Sequence, residues 1–233
     1  MTNPLKEDLD ELENLIAQAE SFGRKASEKY GQIYYGGSYK VDWYDHRMHV
    51  IDFKHCNRAS WVESIANVTQ IFPLGGKVLD LCSGDAWFSY HFLRPVASEI
   101  VCIENGDLVM SHAMRVHQDN KIKYRKQNIL TAQIEANYYD VVWMRSAIEH
   151  FSLENQFKIS QIAHRALKTG GYYCGDTPQN MNKAVQDIHE YEWANVSDAK
   201  EQMEIFKSSS LYAITDKHAN SRARTTIFWR CQK

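Results

Sequence analysis

The chain has 233 residues, 44% of them hydrophobic and 24% charged, with a formal net charge of −2, which is the composition of a soluble protein with one sizeable core and at most a small appendage. Four prolines, 11 glycines and 12% aromatic residues exclude collagen-like and disordered chains, and no stretch approaches the roughly 20 apolar residues of a membrane span. Lysine and arginine number 27 against 29 aspartate and glutamate, whereas a duplex-binding protein needs a basic face to displace counterions.

The N-terminus, MTNPLKEDLDEL, is acidic and amphipathic where a secretory signal is basic and then continuously apolar, so the expected compartment is the cytoplasm. Leu5, Leu9, Leu12, Ile16 and Ala19 follow at steps of 4, 3, 4 and 3 and predict a helix with one apolar stripe, to be covered by the protein's own core or by a short coiled coil. A ring-dense segment follows, YGQIYYGGSYKVDWYDHRMHV, with a turn at Gly36-Gly37, and a second helix is expected from Arg58 to about Phe72. From residue 77 short apolar runs alternate with amphipathic ones. The runs Val78–Cys82, Ile100–Glu104, Ile122–Arg125, Asp140–Met144 and Tyr172–Asp176 read as buried parallel strands. Helices are expected near Trp87–Phe92, Asp107–His117 and Glu154–Leu167, the last stopped by Gly170-Gly171. A helix over Ser197–Phe206 with Ser197 as its N-cap precedes two closing strands, Leu211–Thr215 and Thr225–Arg230. The predicted fold is α/β: a doubly wound, mostly parallel, seven-stranded sheet with an N-terminal helical lid. The domain reading is a lid segment over 1–72 and a core over 73–233. Cys56, Cys82, Cys102, Cys174 and Cys231 form no CxxC pair and read as reduced thiols, three of them in strands.

In such a sheet the ligand lies beyond the carboxyl ends of the strands, where strand order reverses. The first strand-to-helix turn is VLDLCSGDAW, in which Gly84 allows close backbone approach and Asp80 ends an apolar strand. Glu104, about 20 residues on in IVCIEN, can accept both hydroxyls of an adenosine ribose, a feature that nicotinamide enzymes share.

With those motifs, YDVVWMRSAIEHF and LKTGGYY, the chain resembles the class I S-adenosylmethionine-dependent methyltransferases over roughly residues 58–231. The resemblance implies the Rossmann-like methyltransferase fold and S-adenosylmethionine as cofactor; no metal is expected, since Asp140, Asn180 and Asp176 make an oxygen-ligand set only if the fold gathers them. It implies that Gly84 and the backbone at Cys82 contact the methionine part, with Asp80 ending the same strand, and that Glu104 holds the ribose. Asn128 and Ile129 would face the adenine, the backbone at Arg145 the methionine amino group, and Arg58 the methionine carboxylate. Cys82 and Ala86 stand where the family has glycines. The stretch at about 177–206 would wall the acceptor pocket. His150, in the IEH triplet after the fourth strand, is the first candidate for a general base and equally for a structural histidine; His189 is the second and His46 the third. Tyr34, Tyr35, Tyr39, Trp43 and Tyr44 read either as a lid facing the sulfonium or as packing for the first helix.

The expected reaction is methyl transfer to a hydroxyl of a small polar acceptor, sugar-like or phosphorylated. A small amine as acceptor and cofactor binding without turnover are the alternatives. A nucleic-acid substrate would rest on the basic segment KHANSRAR, which otherwise reads as a solvated loop. The implied partners are a small-molecule acceptor, no nucleic acid and no membrane, with a homodimer left open.

Overall fold

The computed structural model describes residues 4–34, 46–47, 58–179, 191–217 and 223–233. Two compact units divide the chain between Cys56 and Asn57. In the first unit the helix α1 (Pro4–Tyr34) carries the predicted apolar stripe and continues beyond it; Pro4 at its start suits the first turn, where no intrahelical N–H bond is lost.

The second unit opens with α2 (Arg58–Thr69), followed by β1 (Lys77–Leu81), β2 (Glu99–Glu104), α3 (Asp107–Val116), β3 (Ile122–Lys126) and β4 (Tyr139–Arg145). It closes with α4 (Leu153–Ala166), β5 (Leu167–Pro178), α5 (Val196–Gln202), β6 (Ser208–Lys217) and β7 (Ala223–Gln232). The seven strands form one sheet in the order β3-β2-β1-β4-β5-β7-β6. β1 pairs in parallel with β2 and β4, and β5 in parallel with β4, while β7 runs antiparallel to both β5 and β6.

Both faces of the sheet are covered, and the strand sequences say why. Successive side chains on a strand alternate faces. Leu79, Leu81, Val101, Ile103, Val142 and Met144 pack with Ile159 and Ala163 of α4 and Ala199 of α5. Their sequence neighbours Val78, Ile100, Cys102, Val141 and Trp143 pack with Val68 of α2 and Ala113 of α3. Strands apolar at every position therefore belong at the centre of a doubly wound sheet. Cys102, Cys174 and Cys231 are buried free thiols on β2, β5 and β7. Among the described residues no helix is long and apolar enough to cross a membrane.

Several local expectations shift. α2 belongs to the sheet unit, so the division falls ahead of the change in sequence character at residues 72–73. Its buried residues Ser60, Ser64 and Asn67, spaced by 4 and 3, form a polar stripe that bonds into the sheet. Ser64 Oγ donates to Asp176 Oδ2 at 2.8 Å and Asn67 Nδ2 to the Trp229 carbonyl at 2.9 Å. α4 stops at Ala166, before the glycine pair: Leu167 is already extended, and Gly170, at φ +80, bonds through its N–H to the Lys233 carbonyl. The cap of α5 is Asn195, whose side chain accepts from Ser197 and Asp198 N–H groups while Asp198 bonds back, which completes a capping box and places Ser197 inside the first turn. The expected helix after the first strand passes into a π-helical turn, Ser89–Leu93, closed by the Arg94 N–H on the Ser89 carbonyl at 2.8 Å.

Gly175 marks the tightest point of the sheet. A Cβ there would lie 2.1 Å from the Met144 carbonyl oxygen and 2.1 Å from Trp229 Cζ2, one of them backbone and the other a fully buried indole. Gly175→Ala is expected to destabilise the fold by on the order of 3 kcal/mol or more, seen as a lowered denaturation midpoint. A midpoint equal to that of the unchanged chain would contradict this packing.

Candidate active site

Strand order reverses between β1 and β4, which opens a crevice beyond their carboxyl ends. The chain leaves both strands in strained conformations. Cys82 (φ +55) and Ala86 (φ +56) follow β1, and Ser146 (φ +43) follows β4. Left-handed backbone at a residue with a Cβ costs about 1–2 kcal/mol, and it persists where surrounding bonds determine it. Here the Ser83 N–H donates to the Ile103 carbonyl at 3.1 Å, the Ala86 N–H to the Ser83 carbonyl at 2.8 Å, and the Ser146 N–H to the Asp176 carbonyl at 2.8 Å. Cys82 and Ala86 thus adopt the conformation that a glycine would supply without strain.

Gly84, at φ +54, has nothing within 4 Å of the point where a Cβ would stand, so its backbone faces open space. Its N–H donates to Glu104 Oε2 at 3.1 Å. The other oxygen of Glu104 accepts from the N–H groups of Asn105 (2.7 Å) and Gly106 (2.9 Å). One carboxylate therefore fixes the ends of β1 and β2 together. From behind, the buried ring of His117 reaches the Asp85 carbonyl through Nδ1 at 2.7 Å.

Asp80 is buried beneath this loop, with Ser89 Oγ donating to its Oδ2 at 2.5 Å. Burial pushes its carboxyl up from 3.8 to about 7; the Ser89 bond opposes the rise, and Glu104 and Asp85 add to it. Burial also raises the Cys82 thiol, reinforced by Glu104, Asp80 and Glu149, so three carboxyl groups bear on the loop.

Across the crevice, Arg145 is held from three sides. Its guanidinium lies 4.1 Å over the Phe88 ring, and its Nε is 3.6 Å from Asp176 Oδ2 and 3.4 Å from Ser64 Oγ. Asp176, buried and with its carboxyl raised chiefly by burial, also accepts from Ser146 Oγ at 3.1 Å. Beyond β4 a short 3₁₀ turn, Ile148–His150, leaves Glu149 buried and His150 exposed. Thr177 Oγ1 donates to Glu149 Oε2 at 2.9 Å.

The structure thus brings Asp80, Cys82, Gly84 and Glu104 together around one loop, with Arg145 and His150 at the neighbouring strand end. Asn128 is exposed, its Oδ1 accepting from the Leu130 N–H at 2.9 Å, whereas the Ile129 side chain is buried in the core. Arg58 begins α2, and its side chain lies outside the described residues, as do Asn180, His189, Tyr35, Tyr39, Trp43, Tyr44 and most of the KHANSRAR loop. His46 lies in the first unit. Among the described residues no group of three or more His, Cys, Asp or Glu side chains is placed to hold a metal ion. Asp140 instead bonds Lys168 Nζ and the Lys77 N–H at the opposite end of the sheet from Asp176.

Residues 78–171 match the family model described as "Methyltransferase domain". Over that segment the chain carries a methyltransferase domain, and its fold is that of S-adenosylmethionine-dependent methyltransferases. A stretch of 117 residues, 48% of the chain, is 29% identical to phosphoethanolamine N-methyltransferase of Plasmodium falciparum, and it covers 44% of that protein. The chain therefore spans less than half the length of this curated relative. In fold it is similar to the Haemonchus contortus phosphoethanolamine N-methyltransferase 2 solved with phosphomonomethylethanolamine and S-adenosylhomocysteine (TM-score 0.62, 14% identity, 74% of this chain and 53% of that one). It is also similar to an S-adenosylmethionine-dependent methyltransferase of Mesorhizobium loti (TM-score 0.59, 12% identity, 75% and 98%).

The residues that reading the sequence missed at this site are Ser64, Phe88, Ser146 and Glu149, together with the bond from Asp176 to Arg145. Only α2 carries a signal for them, the helical spacing of Ser60, Ser64 and Asn67. Asp80 supplies a test of the buried site. Between pH 4 and 7 the folded chain holds a proton that the unfolded chain has released, so this group's contribution to stability is present at low pH and lost as pH rises to 7. A rise of about 3 units corresponds to about 4 kcal/mol. Asp80→Asn should therefore gain stability relative to the unchanged chain as pH climbs from 4 to 8, measured by denaturant unfolding. A pH-independent difference would show that Asp80 is charged throughout.

Proposed function

We propose that this chain transfers the methyl group of S-adenosylmethionine to the nitrogen of a small polar amine. The observation that carries the reading is the match to an N-methyltransferase over 117 residues. The residues present suit the cofactor: an open backbone at Gly84, a carboxylate on Glu104 ready to exchange its backbone bonds for ribose hydroxyls, and a loop in a negative field complementary to a cation. Gly84 and Cys82 would meet the methionine part, Arg58 its carboxylate, the backbone at Arg145 its amino group, and Asn128 with Ile129 the adenine side. Asp80 would act from beneath the loop. Bound S-adenosylmethionine supplies a methyl carbon on a cationic sulfur. The protein aligns the acceptor nitrogen in line with that carbon, and the amine sheds its proton before attack.

A hydroxyl of a small polar or phosphorylated acceptor is the second reading, favoured by exposed His150 at the end of β4, because an alcohol needs a base as the bond forms. His150→Ala separates the two. A loss of about 10²-fold in turnover with unchanged cofactor affinity supports oxygen, and a loss of a few-fold supports nitrogen. Residues 1–72 would serve as a lid segment, and the stretch at about 177–206, with His189, as the acceptor wall.

Calorimetry with S-adenosylmethionine and S-adenosylhomocysteine in the presence of chelator is expected to give binding of both. Labelled methyl transfer is then expected with phosphoethanolamine or a related amine rather than with sugar hydroxyls. Failure of both ligands to bind at about millimolar concentration would overturn the reading. Binding without transfer to any acceptor would favour a cofactor-binding protein. Glu104→Ala should cost on the order of 2–3 kcal/mol of cofactor affinity through the lost charge-assisted bonds.

A further inference from the structure

Gln156, in the first turn of α4, is fully buried, and its amide engages two separate parts of the chain. Nε2 donates to the carbonyls of Ile148 (3.2 Å), Phe151 (2.9 Å) and Tyr191 (3.0 Å). Two amide hydrogens thus serve three carbonyls. Oε1 accepts from Trp193 Nε1 at 2.7 Å. Ile148 and Phe151 bracket the turn that bears His150; Tyr191 and Trp193 belong to the stretch between β5 and α5. The Tyr191 N–H adds a second link by donating to the Glu149 carbonyl at 3.2 Å. Gln179 Nε2 ties the end of β5 to the Ala194 carbonyl at 2.6 Å.

We propose that Gln156 is a positioning residue for the acceptor, clamping the His150 turn to the segment at Tyr191–Trp193 so that both sides of the acceptor site move as one body. The proposal rests on the reading above in one respect, that the methyl group is delivered at the end of β4. Its physical basis is the cost of leaving a buried amide group without a partner, so the clamp is stable only when all its partners are in place. None of its bonds goes to Asp80, Cys82, Gly84 or Glu104, so the clamp acts on the acceptor side and leaves the cofactor loop alone.

The test compares Gln156→Met, which keeps the length of the side chain and removes every bond, with Trp193→Phe, which removes the indole donor and part of the buried ring but leaves the three carbonyl bonds of Gln156 in place. Gln156→Met is expected to raise the acceptor KM about tenfold or more with S-adenosylhomocysteine affinity within about twofold, and Trp193→Phe to act in the same direction by about threefold. Hydrogen exchange should speed up together at the Phe151 and Tyr191 amides in Gln156→Met, with the amides of β1 and β2 unchanged. An unchanged acceptor KM in either folded variant would overturn the proposal, and so would a parallel loss of cofactor affinity. If Gln156→Met does not fold, the KM of Trp193→Phe decides. If the unchanged chain methylates no acceptor, the function reading falls, and exchange at Tyr191 judges the clamp separately: retained protection in the variant overturns it.

Discussion

Burial of the sheet on both faces constrains everything else in the second unit. Once β1, β2, β4 and β5 are apolar on both sides, polar chemistry can enter only at strand ends, and the reversal of order between β1 and β4 leaves one crevice there. The loops at that crevice must leave their strands sharply. Cys82, Ala86 and Ser146 take left-handed backbone to do so, and bonds to Ile103, Ser83 and Asp176 hold them. The strain sits beside Gly84, whose backbone faces open space.

Burial governs the electrostatics of the same place. Asp80 lies too deep to be charged cheaply, and it takes a hydroxyl bond from Ser89. Glu104 remains at the mouth of the loop, where three backbone N–H groups satisfy it. Two acidic residues on adjacent strands are thereby divided between a buried group whose carboxyl is pushed up to about 7 and an acceptor directed at the crevice. Arg145 and Asp176 form a comparable division across the opening, where a guanidinium resting on Phe88 offsets a carboxyl that burial disfavours.

Polar side chains also join parts of the unit that strand pairing does not reach. Ser64 and Asn67 anchor α2 on β5 and β7, and Gln156 gathers the turn after β4 with the stretch before α5. A helix anchored through serines and an asparagine has little hydrophobic periodicity, which is why α2 reads as part of the N-terminal segment although it packs on the sheet.

The sequence by itself determined the class of fold, the places of the seven strands, and the turn at Gly84 between the first strand and the helix after it. Those features depend on local pattern: apolar runs of strand length, helical spacing of apolar residues, and a glycine placed between strand and helix. The shift at the glycine pair after α4 arose where a distant partner decided, Lys233 for Gly170, whereas at the cap of α5 two neighbouring candidates competed and the local capping box of Asn195 with Asp198 prevailed. Only the tertiary structure decided that burial raises the Asp80 carboxyl, that Ile129 points into the core, that Arg145 is bound to Asp176 and that Gln156 bridges two loops. These are contacts between residues about 30 or more positions apart, or consequences of burial depth. Neither is encoded in the spacing of neighbours along a chain, because both come into being only when the sheet assembles and water leaves its faces.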